Sequence, residues 1–105
     1  MSMKIKVSKE AAVELEEAAA WYEKEEAGLG AKLIDAFEHA VQLLREPNPP
    51  MTFMSGHAAS LGAKKLILHR FPFYLVVIQS NKSIVVVALA HHARRPSYWS
   101  ERVKS

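Results

Sequence analysis

Cysteine is absent from this chain, which excludes disulfides, thiolate metal ligands and a cysteine nucleophile and fits a reducing, cytoplasmic setting. Long apolar runs are missing too. The longest, Ile84 to Ala90, has seven residues, whereas a helix that crosses a bilayer needs about twenty. Met1 to Val7 alternates polar and apolar residues and lacks the core of a signal peptide, so no membrane partner is expected. There is no Gly-rich phosphate loop, no nucleophile elbow and no H-E-x-x-H helix. Acid is scarce in one half only. Met51 to Ser105 has eight Lys/Arg against one acid, net +7, while Met1 to Pro50 has six against ten, net −4, and the two sum to +3. A modest total charge thus hides a basic C-terminal half made by Lys64, Lys65, Arg70, Lys82, Arg94, Arg95, Arg102 and Lys104. Such a half suits phosphate or an acidic partner, or simply solvates a surface.

With 105 residues, half of them hydrophobic, the chain is expected to fold as one domain, 1–105, around one moderate core. Lys4 to Val7 reads as a strand and Ser8 as a helix N-cap. Lys9 to Glu26 then places Ala12, Leu15, Ala19 and Tyr22 on one helical stripe. Gly28-Leu29-Gly30 breaks that helix, and a second is expected from Ala31 to Arg45, with Leu33, Ile34, Phe37, Val41 and Leu44 on one face. Pro47-Asn48-Pro49-Pro50 ends the helix hairpin. Ser55 to Gly62 reads as loop. Three strands follow, Ala63 to His69, Phe73 to Gln79 and Ser83 to His91, the last two apolar enough to be covered on both faces. Pro72 imposes a turn or bulge, and Ser80-Asn81-Lys82 a tight hairpin. The fold class is therefore α+β in the order β-α-α-β-β-β, with a helix hairpin on a small, mainly antiparallel sheet.

The last strand empties into His91-His92-Ala93-Arg94-Arg95-Pro96-Ser97-Tyr98-Trp99-Ser100-Glu101-Arg102, delivering cations and aromatics to one chain end. These groups clamp phosphate or stack on bases. They also anchor protein interfaces, or pack back on the domain. Adjacent on a strand, His91 and His92 point to opposite faces and cannot chelate one ion together, and no acidic cluster accompanies His57 or His69. The acids sit at solvated helix positions, so neither a metal nor a cofactor is expected. What remains suits one metal-free reaction. RNA supplies its own 2′-hydroxyl nucleophile, and a ribonuclease then needs a base, cations and a proton donor. Under that reading alone Tyr98, Arg94, His91, Arg70 and Lys65 (or its neighbour Lys64) are the catalytic candidates. As a contact surface for a target or nucleic acid, Lys64, Lys65, Arg94, Arg95, Tyr98, Trp99 and Arg102 are expected. Lying beyond the last strand, Arg94, Trp99 and Arg102 are expected to be replaceable without loss of the fold. Trp21 falls off the apolar stripe of its helix, beside Glu10, Glu14 and Glu17, and is expected to cover the Gly28-Gly30 turn, the alternative being a partner anchor. Phe71 and Phe73 read as core and turn packing.

An ordered set of residues spans nearly the whole chain: Trp21-Tyr22-Glu23, Gly28-Leu29-Gly30, Pro47, Arg70-Phe71-Pro72-Phe73, and His91-x-x-Arg94-x-Pro96-x-Tyr98-Trp99-x-x-Arg102. Together they resemble the RelE/ParE family of type II toxin–antitoxin toxins, also called plasmid stabilisation proteins. The resemblance implies a small bacterial toxin held inactive by a cognate antitoxin. RelE-like members cleave mRNA on the ribosome, whereas ParE-like members poison DNA gyrase by binding it. The Trp-Tyr helix, the Phe-Pro-Phe turn and the Tyr-Trp tail look ParE-like. Two departures from relatives, Ala93-Arg94 for an arginine pair and Lys64-Lys65 where arginine is common, weaken a phosphate clamp. Gyrase binding is thus the expectation and ribosome-dependent mRNA cleavage its rival, in a homodimer or a toxin–antitoxin hetero-oligomer.

Overall fold

In a computed structural model that describes residues 4–80 and 82–103, Lys4–Val7 forms β1 and Ser8 turns the chain into α1, Lys9–Glu25. Ser8 works on both sides of that junction. Its backbone is extended, its Oγ accepts the Ala11 N–H (3.1 Å) and donates to the Val87 carbonyl (3.1 Å), and its N–H donates to the Val86 carbonyl (2.9 Å). The cap therefore also pins the start of α1 to the sheet.

The helix hairpin turns on two glycines with different duties. Gly28, at φ 91°, supplies the left-handed step that other residues resist. Gly30 lies inside α2, Leu29–Leu43, where an added Cβ would sit 2.5 Å from the Ala19 carbonyl oxygen. It is a close-crossing residue, and the helix begins before it. Glu23 holds the turn by accepting the Gly28 and Gly30 N–H groups at 2.8 and 2.9 Å. Those bonds satisfy orphan donors of the first turn, so α2 starts two residues ahead of the expected Ala31. At its far end Leu44 to Glu46 bond to carbonyls three residues back, which tightens the last turn and ends the helix short of Arg45.

Beyond the prolines, Thr52–Phe53 is a two-residue strand, β2, and Gly56–Ser60 a five-residue helix, α3. The helix falls where loop was expected and the strand in the unassigned stretch before it, both being too short to leave a periodic pattern. Strands β3 (Ala63–Ile67), β4 (Phe73–Gln79) and β5 (Ser83–His91) follow, then a 3₁₀ turn at Ser100–Arg102. β3 stops two residues short of His69, because the chain already turns at Leu68, whose N–H donates to the Phe73 carbonyl. Ser80 and Ser83 close the β4–β5 hairpin (N–H to carbonyl, 2.8 Å), and Asn81 lies outside the described residues.

The sheet runs β1-β5-β4-β3-β2, antiparallel except for the parallel β1–β5 pair. Val77 pairs with Val86 and Val76 with Ala88, leaving Val87 as a bulge. On one face the α1–α2 hairpin packs Ala11, Ala19, Leu33, Phe37, Ala40 and Leu44 against Leu66, Leu75, Val77, Val86 and Leu89. On the other, α3 and the tail bring Ala58 and Trp99 onto Ala63, Tyr74, Val76, Val87, Ala88 and Ala90. Two covered faces explain why β4 and β5 are apolar throughout.

Candidate functional site

β5 outruns its neighbour. β1 pairs with it only from Ser83 to Val86, so the backbone from Val87 onward lacks a strand on that side. Side chains replace the strand. Glu14, on α1 and only 17% exposed, accepts the Leu89 N–H on Oε1 (3.0 Å). From the tail, Arg102 forks onto both Glu14 oxygens (2.9 and 3.0 Å) and donates to the Val87 carbonyl (3.2 Å), while the Tyr98 hydroxyl donates to Glu14 Oε2 (2.7 Å) beside the Leu89 carbonyl (3.3 Å).

This clasp sets the local charges. Burial alone would raise the Glu14 carboxyl, but the hydrogen bonds from Arg102, Tyr98 and Leu89, with the Arg102 charge, hold it below the usual carboxylate range. Burial, then the hydrogen bond to Glu14 and its negative charge, push the Tyr98 phenol far above its ordinary value. The hydrogen bond to Glu14 outweighs burial and makes Arg102 still harder to deprotonate. With side chains only 22% and 17% exposed, Arg102 and Glu14 form the only ion pair among the described residues.

Arg94 is placed differently. Exposed, it stacks its guanidinium 3.9 Å above the Tyr98 ring, whose hydroxyl is held by Glu14 and the Leu89 carbonyl. Together with His91, Phe73 and Ala18, these two residues line a cleft beside Glu14 and Glu17. His91 packs edge-on against Phe73 (5.1 Å between ring centres), and its Nδ1 accepts the Ala93 N–H (2.9 Å). His92 stacks on Tyr74 across the sheet, so the two histidines do face apart. A second cleft shares Ala18, Phe73 and His91 with the first and adds Trp21 and Tyr22. Trp21 is 58% exposed and packs its edge on Tyr22. It leaves the Gly28–Gly30 turn to Glu23, which overturns its expected place, and joins instead a file of rings through Tyr22 to Phe71 and Phe73.

Of the residues expected to act together, Tyr98, Arg94 and His91 share a cleft, and the others are dispersed. Lys64 and Lys65 alternate across β3, one ammonium 5.1 Å from the Phe53 ring centre and the other 5.3 Å from that of Tyr74. Arg70 sits in the β3–β4 turn and lines a separate cavity beside α2. Arg95 is exposed in the tail. Trp99 is fully buried, with its indole N–H unpartnered, and shows no ring to a partner in this conformation. Arg102 is spent on Glu14 and the edge of β5. Trp99 and Arg102 are therefore part of the fold, contrary to their expected dispensability, whereas Arg94 is exposed. Glu14 escaped the sequence reading, which placed it among solvated acids. The available signal was its position between Ala11 and Ala18, where a helix runs close enough to a sheet for a carboxylate to reach backbone.

A helix hairpin on one face of a five-stranded mixed sheet, with a tail folded back beneath β5, defines the RelE/ParE-like toxin architecture. A solved chain from the chromosomal ParDE TA system of P. aeruginosa has this fold, with a TM-score of 0.72 at 19% identity over 85% of this chain and 95% of that one. No curated protein sequence matches the chain. The family model for the ParE toxin of the type II toxin–antitoxin system parDE matches residues 5–96, and the chain belongs to that family. Tyr98, Trp99 and Arg102 lie beyond the matched residues.

Proposed function

We propose that this protein is the growth-inhibiting toxin of a cytoplasmic type II toxin–antitoxin module, that it acts by binding DNA gyrase, and that a cognate antitoxin neutralises it. Family membership supports the module, and the solved relative comes from a ParDE system. One observation carries the choice of binding over catalysis: the Tyr98 hydroxyl donates to Glu14 at 2.7 Å and its phenol is pushed far above the ordinary range. A proton donor works best with a pKa near the operating pH, and this one is held by a carboxylate instead. Lys65 and Arg70, which a ribonuclease would want on the same phosphate, lie in other places. Beside the half-buried His91, α1 offers the exposed Trp21 and the tail the exposed Arg94, and Trp and Arg are favoured anchors of protein interfaces.

The rival reading, ribosome-dependent mRNA cleavage, draws on the single cleft shared by His91, Arg94 and Tyr98. Purified toxin is assayed in parallel for inhibition of gyrase supercoiling and for cleavage of ribosome-bound mRNA. Inhibited supercoiling with intact mRNA is expected. Cleavage with supercoiling untouched overturns the proposal.

A further inference from the structure

A cavity of about 660 Å³ lies away from the tail, between α2 and the β3–β4 turn. Its floor is apolar, formed by Leu29, Ala36 and Phe71. Phe71 packs against Tyr22, which also lines the cavity, with their rings nearly perpendicular and 5.3 Å apart between centres. Volumes of about 300–1,000 Å³ are those of ligand pockets that take one or a few side chains.

The rim carries opposite chemistry. Lys32 on α2 and Arg70 on the turn are exposed, and neither makes an ion pair among the described residues. Asp35 is the one acid of the lining, and His39 and His69 add donors at the mouth. The backbone of Arg70 gives a second indication. Its φ is 77°, the one non-glycine residue described in the left-handed region. Glycine holds that conformation without strain, whereas a long side chain pays for it. An arginine kept there puts a guanidinium at the cavity mouth at a cost in backbone strain, and strain of this kind concentrates at binding sites.

We propose that this cavity docks an acidic peptide segment of a protein partner, one large apolar side chain filling the floor while carboxylates of the segment pair with Arg70 and Lys32. A guanidinium fork suits a carboxylate, and unpaired cations around an apolar floor select a segment with acids flanking an apolar residue. The inference stands apart from the gyrase reading, since it uses neither the tail nor the Trp21 surface.

Fluorescein-labelled peptides Asp-Glu-Xaa-Asp-Glu, with leucine, phenylalanine or tryptophan as Xaa, are titrated onto the full chain by anisotropy, beside the same peptides with lysine for every acid. At least one acidic peptide is expected to saturate, and none of the lysine peptides. Arg70→Gly is expected to weaken binding by about tenfold or more through the lost charge-assisted bond. The same variant is expected to melt no lower than the parent, because glycine accepts the left-handed backbone, so weaker binding cannot come from unfolding. Ala36→Glu, which sets a carboxylate in the floor, is expected to abolish binding, and Trp21→Ala to leave it unchanged. Acidic peptides that bind no tighter than millimolar, lysine peptides that bind as well, or parental binding by Arg70→Gly overturns the proposal. So does a short oligouridylate that displaces the bound peptide, which assigns the cavity to nucleic acid.

Discussion

The helix hairpin and the C-terminal tail cover opposite faces of one sheet by different means. The hairpin spreads its contact over two long helices, with Leu33, Phe37, Ala40 and Leu44 sharing the burial. The tail concentrates its contact in one indole, Trp99, and in a polar clasp where Glu14 receives Tyr98 and Arg102. Distributed burial tolerates single losses, whereas concentrated burial makes a few side chains decisive. The same contrast runs through the tail itself. Arg102 is tied into the fold, and Arg94, eight positions earlier, is exposed and touches only a ring.

The sharpest test of that contrast is Trp99→Ala. Removing a fully buried indole is expected to cost about 3–5 kcal/mol, somewhat relieved by the disappearance of its unpartnered N–H. Urea denaturation measures the cost, and hydrogen exchange locates it. Protection is expected to fall first on the tail face, at Val87 and Ala88, ahead of Val77 and Leu75. A cost below about 1 kcal/mol would mean that the tail is not a structural element.

Glu14→Ala comes next. It takes the carboxylate from Arg102, the Tyr98 hydroxyl and the Leu89 N–H, leaving the first two only their backbone carbonyls, and a loss of about 1–3 kcal/mol is expected at this partly exposed site. The pH dependence has a definite sign. Because the Glu14 carboxyl is held lower in the folded than in the unfolded chain, its contribution is complete above the ordinary carboxylate range and disappears as pH falls through the lowered folded value. Glu14→Gln is therefore expected to flatten the acid limb of the stability profile, read from urea midpoints between neutral pH and about pH 3. An unchanged acid limb would place the acid sensitivity elsewhere.

Tyr98→Phe keeps the ring beneath Arg94 and removes one hydrogen bond, so about 0.5–1.5 kcal/mol of stability is expected to go. Growth inhibition should change little if the protein binds its target, whereas a ribonuclease using this hydroxyl would lose about 10²-fold in cleavage. Arg94→Ala has the smallest structural effect, within about 0.5 kcal/mol, as for an exposed side chain. Its expected consequence is functional, a loss of growth inhibition at an unchanged thermal midpoint. Should Arg94→Ala remain fully toxic while Trp21→Ala does not, the contact surface lies on α1 and not on the tail.

Regular elements were legible because their periodicity is long. β4 and β5 match the expected Phe73–Gln79 and Ser83–His91, and β1 matches Lys4–Val7. The start of α2 moved because it depends on Glu23 reaching across a turn, a contact between residues five and seven apart that no local pattern encodes. The tail site was legible as a set of residues and illegible as an arrangement. Which arginine is tied into the fold depends on Glu14, more than eighty positions away in sequence. Likewise Trp99 and Trp21 exchange the roles that composition alone suggests, the tail indole going inside and the helix indole outside, because the sheet face behind the tail has no other cover of that size.

The clasp around Glu14 also covers a strand margin that β1 leaves unpaired. An unpaired strand margin is a template for edge-to-edge polymerisation, and proteins guard such margins with charge or with a cover. Here that side of the sheet is guarded first by Lys4 and Lys6 exposed on β1, then by carboxylate, phenol and guanidinium occupying the Leu89 N–H and the carbonyls of Leu89 and Val87. The residues that fasten the tail are thus also a safeguard of solubility. Once they let go, bare backbone and the apolar bed of Trp99 become available together, and the first partner such a chain meets at high concentration is another like itself.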